Sequence, residues 1–252
     1  MTLLEEDMRA QGDALFRTRS HWPLALLAAG LAVKIRHEGS LTGAHEAPVA
    51  ELLEGAALAV ALAGIALRVF AVGCSPADTS GRNTRAGQVA AVLNTTGAYS
   101  LTRNPLYLGN FLIWGGVVMS VGSVWFLGLF VLVFGILYER VVLAEESFLR
   151  ERFGGEYTRW AAATPVFFPT HLRYRRAERS FSWRKALKHE KNGLAGLFLA
   201  LCILELAGDW AEGQLSLEAE RGLIGVTLAV GACYLVLRTL KRRTSLLDEA
   251  GR

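Results

Sequence analysis

The chain has 252 residues, 52% of them hydrophobic, and a formal net charge of +4 at pH 7. Its mean hydropathy of +0.30 is higher than a soluble domain of this length usually shows. The charged residues lie between long, continuous apolar runs, which is typical of a polytopic α-helical membrane protein. The alternating pattern of a β-barrel strand is not seen, so that class is disfavoured.

The first apolar run, at residues 21–36, follows an acidic segment that contains Glu5, Glu6 and Asp7. No clear small-residue cleavage site follows this run, so we expect a retained helix rather than a removed signal peptide. Five further apolar runs predict membrane-spanning helices, at residues 54–73, 105–121, 124–144, 193–208 and 222–240.

Only Gly122 and Ser123 separate the third and fourth runs, which predicts an antiparallel helical hairpin at about 105–144. Glycines in this hairpin would let helix backbones approach closely, namely Gly109, Gly115, Gly116, Gly122, Gly128 and Gly135. The expected fold is therefore an all-α polytopic membrane protein, a single domain with about six transmembrane helices.

Lys and Arg residues predict the orientation of the helices, because they concentrate in cytoplasmic loops. Six spans place four segments on one side, residues 1–20, 74–104, 140–191 and 238–252. These segments hold 23 of the 27 Lys and Arg residues, whereas Lys34, Arg36 and Arg221 fall on the opposite side. Both termini are thus predicted to be cytoplasmic, in a multi-pass protein that we expect in a bacterial inner membrane.

Three segments are expected along the chain. Residues 1–170 would form a core of four spans with a cytoplasmic segment at 145–170, followed by a basic linker at 171–192 and a C-terminal two-helix hairpin with a basic tail at 193–252. The basic residues at 173–191 are predicted to contact anionic lipid head groups, and not nucleic acid, because they lie beside the bilayer. Alternatively, they are a topology signal without a specific ligand.

The cysteines, Cys74, Cys202 and Cys233, form neither a CxxC pair nor a Cys/His cluster. This spacing indicates neither a disulfide framework nor a zinc site. We interpret the three side chains as small apolar packing residues and predict no metal site.

A first polar cluster, Arg103, Asn104, Pro105 and Tyr107, begins the third span. Asn is a favoured N-cap and Pro is favoured at the first helical position, so the cluster predicts a helix start. The free N–H groups of that helix end, together with the Arg103 guanidinium, would form a pocket for a carboxylate or a phosphate. Packing alone would also explain Tyr107, one turn into the helix.

A second polar pair, Glu145 and Glu146, ends the fourth span. Pairing of Glu146 with Arg150, four residues further on, would explain it as an exposed helix end. However, two adjacent acids at a helix C-terminus oppose the helix dipole. A cation is therefore expected nearby, either one of the surrounding arginines or a sulfonium or ammonium ligand.

Both clusters belong to a longer ordered string. It runs through Thr95-Thr96-Gly97-Ala98-Tyr99, Arg103-Asn104-Pro105-Leu106-Tyr107-Leu108-Gly109, Glu145-Glu146, Phe153-Gly154-Gly155-Glu156-Tyr157 and Pro165…Pro169. This string resembles the isoprenylcysteine carboxyl methyltransferase and phospholipid methyltransferase superfamily, integral membrane enzymes that use S-adenosyl-L-methionine. The resemblance covers about residues 90–170, roughly a third of the chain.

The resemblance implies a cytoplasmic cofactor-binding segment for S-adenosyl-L-methionine, with a lateral tunnel for a lipid substrate. The residues that it assigns to the cofactor site are Gly97, Tyr99, Arg103, Asn104, Pro105, Tyr107, Gly109, Glu145, Glu146 and Tyr157. Gly97 and Tyr99 would belong to an approach loop and Tyr157 to a lid-like segment.

Methyl transfer from a sulfonium is an in-line displacement, for which alignment and desolvation supply most of the catalysis. Such a site needs an anion for the cofactor's amino group, a cation for its carboxylate and an aromatic surface near the sulfonium. Glu145 and Glu146, Arg103 and Tyr107 are of these types. Arg103 and Glu146 are the predicted catalytic residues, and Glu146 would act as a base only for an amine or hydroxyl acceptor.

Two features depart from the family pattern. The family usually has His where this chain has Asn104, which can form hydrogen bonds but cannot act as a base. The chain also continues past Pro169 with a basic linker and two further spans.

The leading hypothesis is methyl transfer to a membrane lipid, or to a lipidated small molecule or protein, at the cytoplasmic face. A nicotinamide-dependent lipid or sterol reductase of related fold is an alternative, although its fuller HPNY-like string is absent here. A non-enzymatic membrane scaffold is another. A transporter is disfavoured, because the spans contain few polar residues; Arg68 and Glu205 lie near span ends, where they could reach the interface.

Overall fold

The computed structural model describes residues 4–18, 21–38, 47–76, 82–84, 87–171 and 173–249. Within these ranges the chain forms eight α-helices, α1 (Leu4–Thr18), α2 (Trp22–Glu38), α3 (Ala47–Cys74), α4 (Pro105–Met119), α5 (Val124–Phe153), α6 (Gly155–Ala163), α7 (Trp183–Glu212) and α8 (Arg221–Arg243). Two short antiparallel strands, β1 (Arg82–Thr84) and β2 (Gly87–Val89), pair with Arg82 opposite Val89. A 3-10 turn at Gly97–Ser100 precedes α4.

Four helices are long and apolar enough to cross a membrane, namely residues Leu52–Cys74 of α3, and α5, α7 and α8. Helices occupy all six predicted spans, so the all-α polytopic fold is confirmed. The other two helices at predicted spans are shorter, since α2 has 17 residues and α4 has 15. A perpendicular crossing takes about 20 residues.

Close backbone contact holds α4 against α3. A Cβ on Gly116 would lie 2.4 Å from the Ala57 carbonyl oxygen, and one on Gly64 would lie 2.6 Å from the Gly109 carbonyl oxygen. Small residues at these positions let the two helices approach to backbone contact. The glycines predicted to allow close approach do so at Gly109 and Gly116, but their neighbour is α3 rather than α5.

The other hairpin glycines do not mediate such contacts. Gly122, with φ +78°, forms the turn between α4 and α5, and a Cβ there would meet no atom within 4 Å. The same holds for Gly128 and Gly135 on α5, while a Cβ on Gly115 would make only an ordinary contact of 3.7 Å. Sequence alone does not say which glycines of a hairpin face a neighbouring helix.

The main hydrophobic core joins α3, α4, α5 and α7. Val117 and Val118 near the end of α4, and Val121 in the turn after it, lie in this core with Leu197 and Leu204 of α7. Helix α7 therefore belongs to the same packed unit as the predicted core segment, although it follows the predicted linker in sequence.

A buried ion pair also joins α7 to this core. Arg68 of α3 donates from Nε and Nη2 to the two carboxylate oxygens of Glu190, at 2.7 and 2.8 Å. Its Nη1 donates to Asn110 Oδ1 on α4 at 2.8 Å. Arg68 does not simply extend to the interface, as expected from sequence; its charge is neutralised by a bidentate pair among three helices.

Helix α7 begins ten residues earlier than its predicted span, inside the segment predicted as a linker. The Ser182 side chain caps this end by accepting a hydrogen bond from the Lys185 backbone N–H at 3.1 Å. Lys185 Nζ then donates to the Ser75 carbonyl at 2.6 Å, which ties the start of α7 to the end of α3. The hydropathy pattern did not predict this part of α7 as helical, because several of its residues are basic rather than apolar.

Contacts bring the basic segments together at one end of the bundle. Helix α1 packs against the last part of α5, where Arg9 Nη1 lies 2.6 Å from Glu151 Oε1. The tail after α8 returns to the start of α7 through an ion pair between Lys188 and Asp248.

At the opposite end, Lys34 of α2 is 5% exposed. Its Nζ lies 3.3 Å from Glu205 Oε2 and donates to the Ser120 carbonyl at 3.2 Å. Glu205 therefore forms an ion pair with the buried Lys34 side chain, whereas the sequence analysis expected Glu205 to extend to the membrane interface.

The α3–α4 contact predicts a strong asymmetry between two identical substitutions. Gly116→Ala should lower the free energy of unfolding by about 1–3 kcal/mol, because the added methyl overlaps the backbone of Ala57. Gly128→Ala, where no atom lies within 4 Å, is the control and should leave stability unchanged or slightly higher. Thermal unfolding in detergent measures both, and equal midpoints for the two variants would contradict the packing described.

Candidate functional site

The loop before α4 is held in place by the segment after α6. Gly97, at φ +62°, donates its backbone N–H to the Arg175 carbonyl at 2.9 Å. The Ser100 hydroxyl donates to the Gly97 carbonyl at 2.7 Å and accepts the Arg175 N–H at 2.9 Å. The positive φ explains a glycine at position 97, where a side chain would be strained.

Tyr99 follows in the 3-10 turn and is 6% exposed. Its ring packs in a cluster with Ala71, Ala98 and Trp160. Burial raises the pKa of the Tyr99 phenol, and the nearby Glu145 carboxylate raises it further. The phenol is therefore neutral at physiological pH.

The start of α4 follows the sequence prediction at Pro105, which is the first helical residue. Asn104 occupies the N-cap position, but its side chain makes no capping hydrogen bond. Asn104 Nδ2 instead donates to the Val166 carbonyl at 2.9 Å, and the Arg103 backbone N–H donates to the Pro165 carbonyl at 2.8 Å. The motif thus fastens the end of the approach loop to the segment after α6.

Glu145 and Glu146 lie in the interior of α5, not at its C-terminus as predicted. The helix continues to Phe153 and ends where Gly154 adopts φ +53°. Hydropathy placed the end too early because the last turns are polar, although their side chains remain compatible with a helix. The argument from the helix dipole therefore does not apply to these acids.

Arg103 supplies the cation expected near the two acids. Its Nη1 lies 2.8 Å from Glu146 Oε1, and both side chains are largely buried, at 16% and 25% exposed. The predicted i,i+4 partner, Arg150, points instead to α1, where its Nη2 donates to Glu5 Oε1 at 3.4 Å. The ion pair between Arg103 and Glu146 therefore connects the start of α4 to α5.

Glu145 has a different partner on the same two helices. The Tyr107 hydroxyl donates to Glu145 Oε2 at 2.7 Å, and both side chains are buried. The Tyr107 ring also meets the Tyr138 ring edge-on, with centroids 5.0 Å apart. Packing thus accounts for the ring of Tyr107, and its hydroxyl stabilises a buried carboxylate.

Tyr157 of α6 completes the cluster. Its side chain is 4% exposed, packs near Leu149 and meets the Trp160 ring edge-on at 5.6 Å. Burial raises the pKa of its phenol, the Glu146 carboxylate raises it further, and Arg103 opposes that shift. The neutral hydroxyl can therefore donate a hydrogen bond beside Arg103 and Glu146.

Three buried polar atoms of this cluster lack a hydrogen bond of acceptable geometry, namely Arg103 Nε, Glu146 Oε1 and Tyr157 Oη. The 2.8 Å contact between Arg103 and Glu146 is thus an ion pair with poor alignment. Leaving such groups unbonded is costly, and native proteins rarely do so away from functional sites. The three groups lie against one another, since Glu146 Oε1 is 2.8 Å from Arg103 Nη1 and the Tyr157 hydroxyl lies beside both, so a polar ligand would have to exchange these contacts for better-aligned ones.

The remaining predicted residue, Gly109, lies outside this cluster. A Cβ at this position would lie 2.4 Å from Cγ of Arg68, so Gly109 makes room for α3. Its contribution is to set the position of α4, whose first turn presents Arg103 and Tyr107.

Sequence reasoning did not single out Trp160, which borders the cluster. Its indole Nε1 donates to the Tyr99 carbonyl at 3.3 Å, and its ring contacts Tyr157. Its spacing of three residues from Tyr157 on a helix places both on one face. This spacing is the sequence feature from which Trp160 could have been identified as a neighbour of Tyr157.

Comparison with known proteins agrees with the resemblance read from the motifs. Residues 57–156 match the model of the phospholipid methyltransferase family. This match confirms the similarity to that superfamily, and it supports a membrane methyltransferase of the phospholipid or isoprenylcysteine kind.

Two curated relatives are similar over part of this region. The nickel-cobalt-cadmium resistance protein NccN of Alcaligenes xylosoxydans xylosoxydans is 35% identical over 83 residues, which are 33% of this chain and 38% of that protein. The cobalt-zinc-cadmium resistance protein CzcN of Cupriavidus metallidurans is 36% identical over 89 residues, 35% of this chain and 41% of that protein. The matched segment thus spans about two fifths of the length of these relatives.

No solved structure matches the chain significantly. Among the described residues, no group of three or more His, Cys, Asp or Glu side chains is placed to hold a metal ion. The metal names of the relatives describe those proteins.

The bond between Tyr107 and Glu145 predicts a stability loss in Tyr107→Phe. This substitution should lower the free energy of unfolding by about 1.5–3 kcal/mol, because a buried carboxylate loses a donor. The same change at Tyr234, whose hydroxyl accepts from Arg238 on the exposed face of α8, is the control and should be nearly neutral. Thermal unfolding in detergent compares the two; equal stability of Tyr107→Phe and the parent chain would contradict this assignment.

Proposed function

We propose that the chain is an enzyme that catalyses S-adenosyl-L-methionine-dependent methyl transfer to a membrane lipid, or to a lipidated small molecule or protein. The observation that carries this proposal is the buried cluster of Arg103, Glu146 and Tyr157, whose polar atoms contact one another without well-aligned hydrogen bonds. The trio lies within and beside the segment that matches the phospholipid methyltransferase family. We further propose that the site faces the cytoplasm, as the distribution of Lys and Arg favours.

The residues of the cluster fit the amino acid part of this cofactor. That part carries a carboxylate and an ammonium group, which need donors and an acceptor. Arg103 Nε and Tyr157 Oη are donors, and Glu146 Oε1 is an acceptor. Arg103 and Tyr157 would hold the carboxylate, while Glu146 would hold the ammonium group.

The other predicted residues would position this trio. Tyr107 and Glu145 bond to each other and keep the first turn of α4 against α5. Asn104 binds the segment after α6, and Pro105 is the first residue of α4. Gly109 lets α4 pack closely against α3. Gly97 and Tyr99 shape the loop that leads to Arg103. The Asn104 amide donates a hydrogen bond to the Val166 carbonyl. The His that the family usually has at this position can also donate such a bond.

When bound, S-adenosyl-L-methionine would supply an electrophilic methyl group on a sulfonium, with a neutral thioether as the leaving group. The chain's own residues have three tasks in such a displacement. Arg103 and Glu146 fix the orientation of the amino acid part, the aromatic rings around Tyr107 exclude water, and the helix ends align the acceptor. A carboxylate or phosphate acceptor needs no base, whereas an amine or hydroxyl needs one, which Glu146 would provide.

An acceptor dissolved in the bilayer agrees with the surface of α5. Leu129, Leu132 and Val133 are exposed on this helix, as expected for a lipid-facing side. Phe167 packs against Phe134 of α5 and directly follows Val166, the partner of Asn104. A lipid that approaches along α5 would therefore meet aromatic side chains next to the cluster.

Calorimetric titration with S-adenosylhomocysteine tests the proposal. The detergent-purified chain should bind it, and Arg103→Ala and Glu146→Gln should each weaken binding by about tenfold or more, because each removes a charge-assisted hydrogen bond. Arg150→Ala and Glu151→Gln are matched controls on the same helix, with side chains 61% and 62% exposed, and should bind like the parent.

Membrane extraction and gel filtration of each variant exclude misfolding as the cause. Absence of binding to the parent chain would contradict the methyltransferase proposal. Titration with NADPH, followed by tryptophan fluorescence, then tests the reductase alternative, and failure of both ligands would favour a scaffold.

A further inference from the structure

A cavity of about 300 Å³ lies beside the cluster, between the approach loop, α6 and the segment after α6. Its lining residues used below are Thr95 and Ser100 of the loop, Arg159 and Trp160 of α6, and Arg173 and Arg175. The three arginines come from two separate segments and face one space. The sequence analysis predicted contact with anionic lipid head groups for the whole basic segment at 173–191, but it identified neither this cavity nor Arg159.

The charge of this cavity is strongly positive. Glu156 is the single acid that lines it, against three arginines. Within the described residues, none of these four side chains takes part in an ion pair, whereas Arg9, Arg68, Arg103 and Arg150 all do. Uncompensated guanidinium groups around a concave surface favour an anion, because Arg offers several donors in a planar fork.

Backbone hydrogen bonds fix the position of Arg175 in the chain. Arg175 donates its N–H to Ser100 Oγ and accepts the Gly97 N–H, so the segment at 173–175 is fastened to the loop. These bonds use backbone atoms of Arg175 and leave its guanidinium available. A fixed backbone reduces the entropy that this segment loses on binding, compared with a loose tail.

The surroundings place this cavity at a membrane surface. Phe168, Tyr174 and Trp183 precede or follow the arginines and are 58%, 52% and 68% exposed. Exposed aromatic side chains are enriched at the level of lipid head groups. An anion that reaches the cavity could therefore belong to a lipid.

We infer that this cavity is a binding site for a phosphate-bearing group, held by Arg159, Arg173 and Arg175. The hydroxyls of Thr95 and Ser100 add polar atoms to its wall, and Trp160 adds an aromatic face. A phosphate accepts several charge-assisted hydrogen bonds at once, so it suits a cavity lined by three arginines better than a single carboxylate does. The inference concerns binding alone and holds whether or not the neighbouring cluster transfers a methyl group.

Trp160 connects the two sites. It lines the cavity, contacts Tyr157 and donates to the Tyr99 carbonyl. Binding in the cavity should therefore change tryptophan fluorescence, and Trp160→Phe should abolish that change without abolishing binding. This residue provides the local probe for the test.

The test titrates the detergent-purified full chain with two probes. Phosphatidic acid in mixed micelles, with phosphatidylcholine micelles as the baseline, represents a lipid phosphate, and inorganic phosphate represents a soluble one. Binding of either probe is expected to saturate. The probe that binds at the lower concentration identifies the source of the phosphate.

A matched pair of double variants separates this cavity from general attraction by the basic segment. Arg173→Gln with Arg175→Gln should weaken binding by about tenfold or more, since two charge-assisted contacts are lost. Arg176→Gln with Arg184→Gln removes the same charge from the same segment, outside the cavity lining, and should change affinity by less than about twofold.

Equal weakening in the two double variants would overturn the inference, because diffuse electrostatics would then explain the binding. Failure of both probes to bind the parent chain would overturn it as well. S-adenosylhomocysteine binding is measured on the same variants. If the Arg173/Arg175 variant lost this binding too, the cavity would be part of the cofactor site and the inference of a separate site would be wrong.

Discussion

Two ion pairs that join α7 to neighbouring helices of the apolar bundle are the constraint on which this structure depends. Arg68 and Glu190 neutralise each other between α3 and α7, and Lys34 and Glu205 do so between α2 and α7. A charge without a partner in such surroundings would cost several kcal/mol, of the order of the whole stability of a domain. The pairs therefore specify which helices are neighbours and in what register.

The cluster at the other polar site obeys this constraint only in part. Arg103 and Glu146 neutralise each other, yet their contact and the Tyr157 hydroxyl beside it lack well-aligned hydrogen bonds. The surrounding structure maintains this arrangement through the tight α3–α4 contact and the bonds from Arg103 and Asn104 to the segment after α6. Such unsatisfied groups are what a polar ligand can satisfy, and this connects the architecture with the proposed function.

The C-terminal extension contributes to the same arrangement. Helix α7 packs in the main core, and its Glu190 holds Arg68, which contacts Asn110 and Gly109 on α4. The segment before α7 closes over the approach loop and supplies Arg173 and Arg175 to the cavity. The C-terminal segment that the family match does not cover therefore packs against the matched segment.

Sequence alone determined the helical membrane class and the start of α4 at Pro105, and it named Arg103, Glu146 and Tyr157 among ten candidate residues, because hydropathy and ordered motifs are local properties. It did not determine how far α5 and α7 extend, since their polar turns carry no apolar signal. It also paired Glu146 with Arg150 instead of Arg103, because only the crossing of α4 and α5 brings Arg103 within reach. The tertiary structure decided which glycines contact a neighbour, which charges pair and which atoms stay unbonded, since each depends on helices distant in sequence.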